Sequence, residues 1–142
     1  MAARIFLFCL SSIVFAFACT RNYSENDLHG MWVGENEKVR IAFSFNPDNT
    51  CEFAYTKKGQ KLIKMTGVFE VNFAKKPIPL TIRNIPQLNH PLHTIIEFKE
   101  SDALRMAEFA PRWRLRPIAF NRDTEIIFRR SNIRQKITVD EY

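Results

Sequence analysis

Three arginines stand at alternate positions, Arg112, Arg114 and Arg116, separated by Trp113 and Leu115. On an extended strand this spacing sets the three guanidiniums on one face and the indole and leucine on the other. Guanidinium forks match phosphate, sulfate and carboxylate bidentately, so the row is a candidate anion-binding face. The competing expectation is a cross-strand charge ladder with Glu97, Glu108 or Glu125. His90-Pro91-Leu92-His93 spaces two imidazoles three apart, but the proline excludes a helical pairing and no third ligand lies near in sequence, so no metal site is expected. Ser44 and Ser101 have no nucleophile motif around them, Cys51 has no paired histidine, and the acids show no recognisable paired spacing. The residues point to a non-enzymatic protein without a cofactor.

Cys19 is the other residue with chemistry to offer. Arg4 is the only charge in the first twenty residues, and an apolar run follows it from Ile5 to Phe15. That run is shorter than the roughly 20 residues of a membrane span, and Ala16-Phe17-Ala18 puts small residues at the two positions a signal peptidase reads. Residues 1–18 are therefore expected to be a cleaved signal peptide. The cysteine that follows resembles the end of a bacterial lipobox, with Ala16 and the bulky Phe17 where the motif has leucine and a small residue. Lipid attachment at Cys19 is the leading expectation, and ordinary soluble secretion the alternative. Cys9 leaves with the signal. A lipidated Cys19 makes Cys51 a lone thiol buried in a strand, whereas a free Cys19 in an oxidising compartment can pair with it.

Removal of the signal leaves 124 of the 142 residues, enough for one domain. Residues 19–27 are polar and read as a tether, residues 28–130 as the folded domain, and 131–142 as a tail. The formal net charge of +6 falls to +5 without Arg4. Such a balance suits anionic surfaces such as lipid headgroups, cell-wall polymers or polysaccharide, and an anionic envelope polymer or protein is the expected partner class. Export argues against nucleic acid as a partner.

Period-two alternation runs from residue 30 to residue 130 with no helical stripe. Lys38 to Phe45 alternates polar and apolar, Asn46-Pro47-Asp48-Asn49 supplies a turn, and Thr50 to Tyr55 repeats the pattern. Further strands are expected at 62–65, 67–73, 80–82, 93–98, 103–109, 113–120 and 124–130. An all-β, antiparallel up-and-down barrel of eight to nine strands avoids the open edges such a meander would otherwise carry. Thirteen phenylalanines leave the interior open between two states, filled by side chains or hollow enough for one small ligand.

Gly30-Met31-Trp32 near the start and Phe128-Arg129-Arg130 near the end resemble the frame of lipocalins and other calycins. The resemblance implies that Trp32 packs against Arg129 or Arg130 to close one end of the barrel. Lys76 to Ile82, Ile95 to Phe98, Asp102 to Ala107 and Arg116 to Phe120 are similar, in the same order, to segments of a family of small bacterial lipocalin-like domains frequent in planctomycetes. That family has no assigned chemistry, so the resemblance implies a fold and no catalytic residue. The sequence thus points to an exported, lipid-anchored, lipocalin-like envelope protein that binds an apolar small molecule or lipid. The alternative is an interaction protein with a filled barrel, holding an anionic partner on its basic face.

Overall fold

Alternating apolar side chains can share one interior only if the sheet curls round them. In the computed structural model, which describes residues 21–57 and 59–131, eight antiparallel strands close into a barrel in chain order. They are β1 (Gly30–Glu35), β2 (Val39–Phe45), β3 (Thr50–Lys57), β4 (Ile63–Val71), β5 (Ile78–Arg83), β6 (Leu92–Glu100), β7 (Ala103–Met106) and β8 (Ile126–Ser131). Pairing of β1 with β8 closes the ring, with Trp32 opposite Arg130 and Gly34 opposite Phe128. The signal segment, Cys19 and all but the first residue of the expected tail lie outside the described residues.

Register sorts the inner face. Trp32 opposes Phe43, Phe43 opposes Phe53, and Phe53 opposes Met65. Farther round, Phe69 opposes Ile82, Ile96 opposes Met106, and Leu104 opposes Phe128. All are buried. Phe43 is the hub: its ring centroid lies 5.5 Å from Phe45, 5.4 Å from Phe53 and 5.6 Å from Phe128. Side chains therefore fill the middle of the barrel. At the β1–β8 seam the strands approach closely at Gly34, where a Cβ would stand 2.7 Å from Ile126 Cγ2 and 2.9 Å from Phe128 Cδ1.

Two expectations are corrected. The stretches 62–65 and 67–73 form one strand, β4, which runs through Gly67, and β1 is a strand beyond the expected segments; the eight observed fall within the expected eight to nine. Within the segment read as a tether, the residues next to the domain form a short helix, α1 (Glu25–Leu28), that seats Leu28 in the core. Asp27 starts this turn by accepting hydrogen bonds from the Ser24 amide at 2.8 Å and from Ser24 Oγ at 3.0 Å. Residues 113–120 are not a strand. β7 and β8 already pair with each other, so no ladder position remains, and Pro111 before the segment and Pro117 within it cannot donate. It forms a strap with a 3-10 turn at Trp113–Leu115.

Candidate functional site

The two ends of the barrel differ, and the difference places the candidate binding site. At one end α1 lies under the strands as a plug. Trp32 Nε1 donates to the Leu28 carbonyl at 2.7 Å, and the Arg130 guanidinium sits 4.3 Å from the Trp32 ring centroid. Arg130 also donates to the His29 carbonyl at 2.6 Å and to the Asp27 carbonyl. One cation thereby meets carbonyls that the short helix leaves unpaired. Gly30 fits under this clamp with φ of 112°, and a Cβ there would come within 3.1 Å of Arg130 Nη1. Of the two arginines expected near Trp32, Arg130 occupies the position. Arg129 faces outward toward Glu100 at 3.4 Å and Asp102 at 3.7 Å.

The opposite end is open. A cleft of about 430 Å³ there is floored by the inward-facing Ile41, Met106, Ile126 and Phe128, with Val39 and Phe109 at its sides. Lys38 and Lys57 bring positive charge to the rim, and Glu108 and Asp123 bring negative charge. The volume falls within the roughly 300–1,000 Å³ of small-ligand sites. Phe109 and Phe128 both contact Phe43, at 5.9 Å and 5.6 Å between centroids, so the aromatic hub lies behind two residues that line the cleft.

The flank of the barrel carries the arginine row. Arg112, Arg114 and Arg116 share no strand face, and none meets Glu97, Glu108 or Glu125 in an ion pair. Arg105 reaches Glu125 at 2.6 Å and Glu97 at 3.3 Å and lies 4.2 Å from the Phe120 ring centroid, and Lys99 meets Glu97 at 2.7 Å. Arg116 points inward to the outer wall of β5 and β6. Its Nη2 donates to Thr81 Oγ1 at 2.5 Å and to His93 Nδ1 at 3.1 Å. Since arginine only donates, Nδ1 accepts, which fixes a neutral His93 with its proton on Nε2. The Thr81 hydroxyl, 3.0 Å from the same Nδ1, shares that nitrogen's single lone pair with Arg116. A backbone bridge between His93 and Ala110 holds the strap from the other side.

Burial, with the charges of Arg116 and Arg83, pushes the His93 pKa below its ordinary value. The unfolded chain therefore takes up this proton first as pH falls. Stability is expected to decline from about pH 6.5 downward, by at most about 1.4 kcal/mol per pH unit from this group, until the lowered folded value is reached. His93→Gln, which keeps an acceptor for Arg116 but does not titrate, should flatten that slope in thermal unfolding measured at pH 7.5 and 5.5. An undiminished slope in the variant would place the titration elsewhere.

His90 bonds through Nδ1 to the Pro91 carbonyl at 3.0 Å, and no cluster of three His, Cys, Asp or Glu suited to a metal occurs among the described residues. Cys51 is a free thiol with no exposed surface, and burial pushes its pKa up to about 12, so it stays protonated and unreactive in the native barrel. No protein-family model matches the chain, and neither does any curated protein or solved structure.

Proposed function

We propose that this chain is a non-enzymatic binding protein of lipocalin-like type that takes an apolar small molecule or single-chain lipid at the open mouth of its barrel. The observation that carries the reading is the 430 Å³ cleft, whose floor is the apolar inner face and whose rim offers Lys38 and Lys57 to a carboxylate head. The packed aromatic hub limits the ligand to the outer part of the barrel, shallower than a hollow interior would allow. The Trp32–Arg130 clamp at the plugged end supports kinship with the bacterial lipocalin-like domains. Export, with a lipid on Cys19, belongs to the same proposal and rests on the apolar run and on the small residues before that cysteine. The complete burial of Cys51 supports its fate as a lone thiol.

The test is binding of a dansyl-labelled medium-chain fatty acid, followed by fluorescence, together with native mass spectrometry of protein recovered from its source. One-to-one saturable binding is expected. Val39→Trp, which sets an indole across the mouth from a half-exposed position, should weaken it at least about tenfold, or about 1.4 kcal/mol, without lowering the unfolding midpoint. Absence of saturable binding, or equal binding by the variant, would refute the mouth as the ligand seat. The denatured mass reads out the lipid on Cys19 separately.

A further inference from the structure

The strap exposes what the rest of the barrel hides. Trp113 is 67 % exposed, Leu115 63 % and Ile118 89 %, although the strap is fastened to the wall by Arg116 and by the stacking of Phe120 on Arg105. Single exposed apolar residues are ordinary, but three large ones within six positions of one held loop form a ridge. From Pro111 to Arg122 the strap contains four arginines and no acid. Arg116 is engaged beneath it, while Arg112 and Arg114 stand exposed beside the ridge. The whole connection between β7 and β8, residues 107–125, exceeds the roughly 12–15 residues beyond which loops tend to be functional.

The amino-terminal arm meets the same place. Arg21 and Tyr23 line a cleft of about 610 Å³ together with Lys76, Ile118 and Phe120. Tyr23 is held there by stacking on Phe98 at 4.3 Å. Lys76 thus adds positive charge next to the most exposed apolar residue of the strap, and Arg21 adds its own while pairing with Asp27 at 3.0 Å; Glu97 is the one acid among the described residues of the cleft.

We propose that the strap is a membrane-docking element that lays the flank of the barrel on an anionic lipid bilayer, with Trp113, Leu115 and Ile118 entering the interface and Arg112, Arg114, Arg21 and Lys76 meeting headgroup phosphates. A soluble anionic polymer would use the arginines but leave the three apolar side chains in water, and an apolar partner would not need the cations. Tryptophan beside arginine matches the layered chemistry of the interface, where an amphipathic ring and a cation sit at headgroup level. The proposal goes beyond the mouth and its ligand. Its test removes the lipid anchor, so the two readings fail separately.

The experiment uses the full chain carrying Cys19→Ser, expressed with its own export segment. It is mixed with vesicles of phosphatidylcholine alone or with 30 per cent phosphatidylglycerol. Partition to the anionic vesicles is expected to exceed that to the neutral ones at least about tenfold, with loss on adding salt. The chain has two tryptophans, and Trp32 is fully buried, so a blue shift of emission on binding reports Trp113. Trp113→Ser, Leu115→Ser and Ile118→Ser combined should abolish at least about nine-tenths of the partition at an unchanged unfolding midpoint. Arg112→Gln with Arg114→Gln should reduce the preference for the anionic vesicles. Failure to bind anionic vesicles, or full binding by the triple serine variant, would overturn the proposal. So would equal affinity for dextran sulfate with no blue shift on vesicles, which would assign the row to a soluble polymer.

Discussion

Trp32→Ala is expected to destabilise the protein by about 3–5 kcal/mol, lowering the thermal midpoint by on the order of 12–20 °C. The indole is fully buried between α1 and the aromatic interior, and three contacts converge on it: packing against Phe98 at 6.0 Å between centroids, the hydrogen bond to the Leu28 carbonyl, and the Arg130 cation over its face. Arg130→Met, which keeps the stem and removes the guanidinium, should cost about 2–3 kcal/mol because the Asp27 and His29 carbonyls lose a charged donor. The two changes share one clamp, so their effects should fall short of additive by about 1 kcal/mol in urea unfolding. Simple additivity would mean that the stacked geometry contributes no coupling of its own.

Phe43→Ala is the second large effect, again about 3–5 kcal/mol in the same unfolding assay. Phe43 is 1 % exposed and touches Phe45, Phe53, Phe109 and Phe128, so few neighbours are free to collapse into the space. The substitution also has a functional readout. Phe109 and Phe128 line the mouth, and removal of the ring beneath them should deepen the cleft into the barrel. Fatty acids of longer chain should therefore gain affinity relative to shorter ones in the variant, measured by displacement of the dansyl probe. An unchanged chain-length preference would show that the mouth does not communicate with the interior.

The parts of this fold that were legible in the chain are those governed by local alternation. Lys38 to Tyr55 sorts into inner and outer faces as the period-two pattern implies, since each inner residue needs only its own strand to declare its side. The clamp was half legible. Glycine-x-tryptophan and a terminal arginine marked it, but choosing Arg130 over Arg129 requires the β1–β8 register, which no local pattern contains. The strap was misread for a related reason. Arg112 to Arg116 alternates as a strand would, yet a strand also needs a neighbour, and closure of β7 on β8 leaves none. Pro111 and Pro117 carried the missing signal.

Arg105 and His93 were illegible as partners. Glu97 and Glu125 lie on either side of Arg105 only after the sheet and the loop have folded, and His93 is buried by a segment far along the chain. The mouth needed three-dimensional closure as well. Val39, Lys57, Phe109 and Asp123 come from four separate parts of the sequence, and only the ring of strands brings them to one rim. Residue type could announce an apolar interior, but not how much of it the phenylalanines would occupy.

Closure of the ring also limits how this protein can meet another. A sheet with a free edge can lend its unpaired amides and carbonyls to a partner and take up a further strand. Here β1 and β8 satisfy each other, so the seam offers no free edge, although the start of β4, from Ile63 to Thr66, pairs with β3 alone. At the seam a partner meets side chains and loops, and a strand it adds has only such a short stretch of backbone to pair with.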